Sequence, residues 1–174
     1  GCGLSDKPQR YAYTLEQQVP SNLARRLQQE VLDVALVSSI EYFRNPDYVI
    51  LPNISICAYN EMWSIRLFHR TPLSAARRIG LDPSSETTNG LLQIILQEKM
   101  RLGIELVPLS PEEDVLARTD LDGFLKIGDP CLTFMTPPGY QSLDLASEWN
   151  QFTNLPFVFA IWLARRGVDL QNIN

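Results

Sequence analysis

The sequence predicts an α/β fold, and three observations carry that expectation. Short apolar runs of strand character alternate with segments of helical spacing along the chain. Turn-forming clusters of Pro, Gly, Ser, Asn and Asp separate the two kinds of segment. The chain of 174 residues is 45% hydrophobic and 20% charged, enough to bury a core of single-domain size.

The elements follow in order. Tyr11 to Thr14 alternates like a short strand. Pro20-Ser21 opens a helix, with Ser21 placed to cap it and Leu23, Ala24, Leu27 and Val31 as its apolar stripe. Asp33 to Val37 reads as a buried strand ending in a polar turn, Ser38-Ser39. Tyr48 to Ala58 is extended, with a break at Pro52-Asn53, and Trp63 to Phe68 alternates like a half-buried strand. Ile79 to Asp82 is a short strand that feeds a turn over residues 83–89. A helix follows with Leu91, Leu92, Ile95 and Leu96 on one face, running to about Arg101, where Gly103 can end it.

Ile104 to Leu109 reads as a strand, and Pro111 to Ala117 as a helix opened by Ser110. Phe124 to Ile127 is a strand ending in Gly128-Asp129-Pro130. Residues 136–141 have linker composition. Leu143 to Leu145 is a brief strand, Ala146 to Phe152 a helix, and Phe157 to Leu163 a closing strand.

Composition excludes several functions. Lys and Arg total 15 against 20 Asp and Glu, a net charge of −5 with a pI near 4.9. Phosphate neutralisation needs clustered cations, so nucleic acid is not an expected partner. The longest apolar run, Leu155 to Ala164, is ten residues with a proline inside. A membrane-spanning helix needs about 20, so no membrane partner is expected. Three cysteines, Cys2, Cys57 and Cys131, form no CxxC and fit a reduced, cytoplasmic setting without a disulfide scaffold or zinc knuckle. No metal or redox cofactor is implied, since the sequence holds no Walker loop, GxGxxG, HExxH or EF-hand pattern. His69 is the sole histidine and has no Ser or Cys elbow around it, so it reads as structural.

The strongest local signal is at residues 82–89. A strand runs into a turn with Ser84, Ser85, Thr87, Thr88 and Asn89 at the start of a helix. Unpaired helix-start N–H groups, the positive dipole end and neutral hydroxyls suit an anion. In open α/β sheets, ligands bind at the carboxyl ends of strands. Taken alone, the same residues better describe an ordinary capped helix with a solvated turn, since Ser and Thr are common caps. Ser38 and Ser39 form a second polar strand end, and Gly128-Asp129 a third, where Asp129 ahead of Pro130 also serves as a helix start. Three such ends form a ligand cleft if they converge.

Several segments resemble, in order, the menaquinone-biosynthesis proteins of the futalosine pathway. They are Asp33 to Tyr42 with Arg44-Asn45-Pro46, Leu81 to Ser85 with Thr87-Thr88, Ile127-Gly128-Asp129, and Asp144-Leu145 with Glu148-Trp149 and Leu155 to Ala160. The match runs from about residue 17 to about residue 163. The resemblance implies a two-lobed, type 2 periplasmic-binding-protein-like fold with parallel-rich mixed sheets. Residues 1–71 and 136–174 would form one incomplete lobe and residues 72–135 the other, with crossings near residues 64–71 and 136–143.

One branch of that family dehydrates chorismate to 3-[(1-carboxyvinyl)oxy]benzoate. The other cleaves cyclic dehypoxanthine futalosine and uses a histidine at the end of the strand matching Phe124 to Ile127. Gly128 stands there in this chain. The resemblance therefore implies the dehydratase branch, a lyase acting on a small carboxylate. Its substrate would be bound by Ser38, Ser39, Ser84, Ser85, Thr87, Thr88, Asn89 and Asp129 without a cofactor. The family asparagine in a Tyr-Leu-Asn strand would lie upstream of Gly1, so no residue of this chain is assigned as catalytic. The further expectation is a partial chain, lacking that strand and the C-terminal helices, that by itself is far slower than the whole enzyme or inactive.

Overall fold

The structure, a computed structural model, describes residues 14–169. Two mixed α/β units share one chain. A three-stranded sheet has the order β1-β8-β2, from β1 (Val34–Ser38), β2 (Val49–Ala58) and β8 (Phe157–Ala164). A five-stranded sheet has the order β5-β4-β6-β3-β7. Its strands are β3 (Ile65–His69), β4 (Arg78–Leu81), β5 (Glu105–Pro108), β6 (Gly123–Ile127) and β7 (Gln141–Asp144). The helices are α1 (Pro20–Gln28), α2 (Ile40–Arg44), α3 (Glu86–Ile94), α4 (Asp129–Leu132) and α5 (Leu145–Thr153).

The large sheet is mixed and the small one antiparallel, so the pairing is not rich in parallel strands. In the small sheet β8 pairs antiparallel with both neighbours. In the large sheet β4 runs parallel to β5 and β6, while β3 is antiparallel to β6 and β7. The parallel pairs are those linked through α3 and its continuation, the crossover that parallel pairing requires. β3 and β7, drawn toward the first lobe by the sequence, are strands of the large sheet. The chain thus passes from the small sheet to the large one at residues 59–64 and returns at residues 154–156.

The large sheet is covered on both faces. On one, Ile65, Leu67, Ile79 and Leu125 pack with Leu91, Leu92, Ile95 and Leu96 and with Leu145 and Ala146 of α5. On the other, Phe68, Phe124, Leu109, Leu121 and Cys131 pack together under Phe134 and Tyr140. Hence β3 is buried at four of its five positions, and is not the half-buried strand its alternation suggests. The small sheet is backed by α1, whose Leu27 is 1% exposed against Ala35, Val37, Ile161 and Leu163.

Several local expectations change. Ser21 does not cap α1: Val19 is the N-cap, Pro20 is the first helical residue, and no side chain caps the end. β2 does break at Pro52-Asn53, where its register to β8 shifts between Ile50 and Ser55 and Asn53 takes φ 67°. After Ile94 the third helix continues as a π-helical segment, Ile95–Lys99. It ends not at Gly103 but at Arg101, in the left-handed region with φ 57°, where Leu102 N–H closes back on Leu96 O at 2.8 Å. Pro111 to Ala117 forms turns rather than a helix. There the Glu113 carboxylate accepts from Ser110 N–H at 3.0 Å, the half of a capping box that needs no helix behind it. The strand expected at Tyr11 to Thr14 falls almost wholly outside the described residues, as does Cys2.

Candidate functional site

The polar strand ends are brought together chiefly by two side chains, Thr87 and Asp82. β1 ends at Ser38, whose hydroxyl shares a 2.8 Å hydrogen bond with Thr87 Oγ1 in the first turn of α3. Ile40 N–H, at the start of α2, donates to the same Thr87 oxygen at 3.2 Å. Thr87 is 5% exposed, so its hydroxyl is an internal tie between the small sheet's first strand and the helix over the large sheet.

Asp82 joins two parallel strand ends of the large sheet. Just past β4, its Oδ2 accepts from Ile127 N–H at 3.0 Å, at the end of β6. Its Oδ1 accepts from Ser84 N–H at 2.9 Å and from the Ser84 hydroxyl. Asn89 Nδ2 donates to Asp82 O at 2.8 Å. The β4 and β6 ends therefore meet at the turn that opens α3, as parallel neighbours must.

A cleft of about 200 Å³ lies beside this junction. It is walled by Ser38, Glu41 and Arg44 from β1 and α2, by Ser84, Ser85 and Glu86 at the start of α3, and by Arg25 and Gln28 of α1. That volume suits a small acid of one ring better than a nucleotide. The charged lining is balanced, two guanidiniums against two carboxylates.

The eight residues picked from the sequence divide by position. Ser38, Ser84 and Ser85 line the cleft. Ser85 is also the N-cap of α3, accepting from Thr88 N–H at 3.3 Å and from the Thr88 hydroxyl at 3.0 Å. Residues 82–89 thus form a capped helix start, with Ser84 and Ser85 in the cleft wall. Thr87 and Thr88 are buried behind that wall. Asn89 Nδ2 is committed to Asp82, while its buried Oδ1 has no partner among the described residues. Ser39 turns away, its hydroxyl donating to Val158 O at 2.7 Å and its N–H to Phe159 O at 3.0 Å. Asp129 is exposed and outside the cleft lining. It does not cap α4: Gly128 is the N-cap, and Asp129 the first helical residue.

The cleft also holds residues that were not picked from the sequence. Glu41 is 7% exposed; its carboxylate accepts from Gln28 Nε2 at 3.0 Å and pairs with Arg44 Nη1 at 2.9 Å. Arg44 Nη2 also pairs with Glu86 Oε2. Arg25 Nη2 donates to Asn22 Oδ1 at 2.6 Å. The missing signal was the helix at Ile40–Arg44, which turns Glu41 and Arg44 back toward the end of β1. In the sequence this segment follows a Ser-Ser turn and has no apolar stripe of its own.

His69 is far from this junction. It pairs in register with Gly123, at the start of β6, whereas the Asp82 contact is at Ile127, the end of that strand. The separation along β6 is roughly 13 Å. His69 is 7% exposed, with Nδ1 2.9 Å from Thr71 O, and its Cα and Cβ lie against Gly123 where no Cβ would fit. Its role is packing and turn closure. Gly128 takes φ 75°, a conformation that side-chain-bearing residues rarely adopt. Cys57 and Cys131 are both unbridged, and burial pushes the Cys131 thiol pKa up, away from nucleophilic chemistry. Among the described residues no cluster of His, Cys, Asp and Glu could hold a metal, and no helix is long and apolar enough to cross a membrane.

Comparison with known proteins gives matches in sequence and in structure. The family model for menaquinone biosynthesis matches residues 3–174. The chain is 30% identical over 173 residues to the chorismate dehydratase of Thermus thermophilus, covering 85% of this chain and 60% of that protein. It is 32% identical over 142 residues to the chorismate dehydratase of Campylobacter jejuni, covering 82% of this chain and 49% of that protein. The chain therefore spans only half to three-fifths of the length of these curated relatives. Among solved structures it resembles protein AF1704 from Archaeoglobus fulgidus, at TM-score 0.64 and 18% identity, covering 89% of this chain and 57% of that one. It also resembles an ABC transporter structure from Parabacteroides distasonis, at TM-score 0.54 and 16% identity, covering 88% of this chain and 55% of that one. At such identities the structural likeness concerns the fold alone.

Proposed function

The chain belongs to the menaquinone-biosynthesis family, and on that premise we propose that it forms the substrate cleft of an enzyme that dehydrates chorismate to 3-[(1-carboxyvinyl)oxy]benzoate. The observation that carries the reading is the similarity to two chorismate dehydratases from distant bacteria. In the same reading, the two sheets are the centres of two lobes of a type 2 periplasmic-binding-protein-like fold. The boundaries follow the strand pairing, at residues 59–64 and 154–156.

The chemistry of the cleft supports this function. In the dehydration, a C–H bond breaks at the ether-bearing ring carbon and a C–O bond breaks at the neighbouring ring carbon. Water leaves and the ring becomes aromatic, so the driving force is intrinsic and no electrons pass to an acceptor. The departing proton is conjugated through a double bond to the ring carboxylate, so negative charge grows on that carboxylate. Fixed donors around a carboxylate therefore stabilise the transition state more than the ground state. The cleft offers such donors in the hydroxyls of Ser38 and Ser85 and the guanidiniums of Arg25 and Arg44, while the Ser84 hydroxyl is committed to Asp82. The positive end of α3 points the same way.

The placement of His69 favours this branch over futalosine cleavage. The strand end where the other branch carries a histidine holds Gly128, and His69 is at the opposite end of β6.

The test is conversion of chorismate by the protein expressed from its complete reading frame, followed by chromatography and product mass. Accumulation of 3-[(1-carboxyvinyl)oxy]benzoate without added metal or nucleotide is the expected result. Consumption of cyclic dehypoxanthine futalosine instead would move the protein to the other branch. Saturable binding of chorismate with no conversion would make it a small-anion binding protein.

A further inference from the structure

We propose that Arg44 is the residue that grips a ligand carboxylate in the cleft, and that Glu86 occupies its guanidinium until the ligand arrives. The inference rests on the reading of this cleft as the ligand site and names the group that recognises the ligand there.

Arg44 holds two carboxylates that differ in kind. Its Nη1 pairs at 2.9 Å with Glu41, whose side chain is 9% exposed and is also held by Gln28. Its Nη2 pairs with Glu86, whose side chain is 61% exposed. Removing Arg44 from Glu41 would strand a buried charge, so that pair persists. The Glu86 pair joins two exposed side chains and contributes little. Glu86 is also in the first turn of α3, where the helix end keeps stabilising it after it lets go. The two bonds of one guanidinium are thus an anchor and an exchangeable contact.

The exchange preserves the charge balance of the site. With Glu41 and Glu86 both on Arg44, the two carboxylates of the lining share this one guanidinium, and a ligand carboxylate finds it already paired. When a ligand carboxylate replaces Glu86 on Nη2, Glu86 swings to solvent and the planar fork is used again. Arg44 and Glu86 come from segments on opposite sides of the cleft, α2 beside the small sheet and α3 on the large one. Entry of the ligand therefore also releases one tie between the two units, leaving the Ser38–Thr87 bond in place.

The test uses Glu86→Gln, an exposed and nearly isosteric change that leaves the fold intact, and two probes in calorimetry. Isophthalate reports on aromatic dicarboxylate binding alone, and 3-[(1-carboxyvinyl)oxy]benzoate reports on the proposed product. Removing the competitor should tighten both by about two- to sixfold, the worth of an exposed ion pair. The gain should shrink as salt is raised, which a packing effect would not do. Arg44→Lys, which keeps the charge on Glu41 but loses the fork, should weaken both probes and abolish the gain from Glu86→Gln. An affinity unchanged or weakened in Glu86→Gln, at an unchanged unfolding midpoint, overturns the proposal, as does failure of the parent to bind either probe. Tightened isophthalate binding in a protein that does not convert chorismate would uphold the role of Arg44 while removing the dehydratase reading.

Discussion

Phe124→Ala should lower the stability of the protein by about 3–5 kcal/mol, the usual cost of deleting a ring from a filled core. Phe124 is 1% exposed at the second position of β6. Its ring stacks on Phe68 at 5.5 Å and meets Phe134 and Tyr140, each at 5.8 Å. Those two partners come from the loop that covers the outer face of the large sheet. The cavity left by alanine cannot collapse easily, because Phe68 is itself fixed against Phe134 at 5.0 Å. Urea unfolding should show the loss as a lower midpoint at similar slope, and heating as a fall of roughly 10 °C. A loss below about 1 kcal/mol would mean that the loop over residues 131–140 is not packed as described. Because β6 carries Ile127 to Asp82, ligand binding should weaken in the variant as well.

Thr87→Val should have the largest effect on binding for the smallest change in shape. Valine fills the same volume but cannot accept from Ile40 N–H or share a hydrogen bond with Ser38. An amide left unpaired near the interior costs about 1–3 kcal/mol. The Ser38 hydroxyl in the cleft wall loses the partner that fixes its position. Affinity for an aromatic dicarboxylate should fall about tenfold, equivalent to about 1.4 kcal/mol. Thr88→Val is the control: its hydroxyl donates only to the Ser85 cap, so it should lower stability without a matching loss of affinity. Equal affinities in parent and Thr87→Val, measured by calorimetry, would remove Thr87 from the site.

The comparison of these two threonines shows how far the sequence could be read. Side by side in sequence, both are hydroxyls at a helix start, and nothing local distinguishes them. The structure separates them because α3 turns about 100° per residue, which aims Thr87 at β1 and Thr88 at its own cap. The strands from residue 34 onward were legible because their apolar runs are bounded by Pro, Gly and Asp. The sheet order was not, since antiparallel and parallel pairs use the same apolar residues. β3 shows this: its neighbours β6 and β7 are separated from it by more than fifty residues of chain. Glu41 and Arg44 were missed for a related reason. A five-residue helix has too few turns to show a stripe, and a buried glutamate looks like a surface one until its partners, Gln28 and Arg44, are in place. Asp129 shows the same limit: a carboxylate in the first turn of a helix and one that binds a ligand look alike in sequence, and only position, here outside the cleft lining, separates them.

The most direct measurement is a calorimetric titration of chorismate and of 3-[(1-carboxyvinyl)oxy]benzoate into the protein and into Ser38→Ala. Ser38 is partly exposed and lines the cleft, and its loss leaves Thr87 the contact with Ile40 N–H. Saturable one-site binding of both compounds, weakened about tenfold by Ser38→Ala in a protein that still unfolds cooperatively, is the predicted result. Absence of saturable binding, or binding indifferent to Ser38, would contradict the assignment of this cleft.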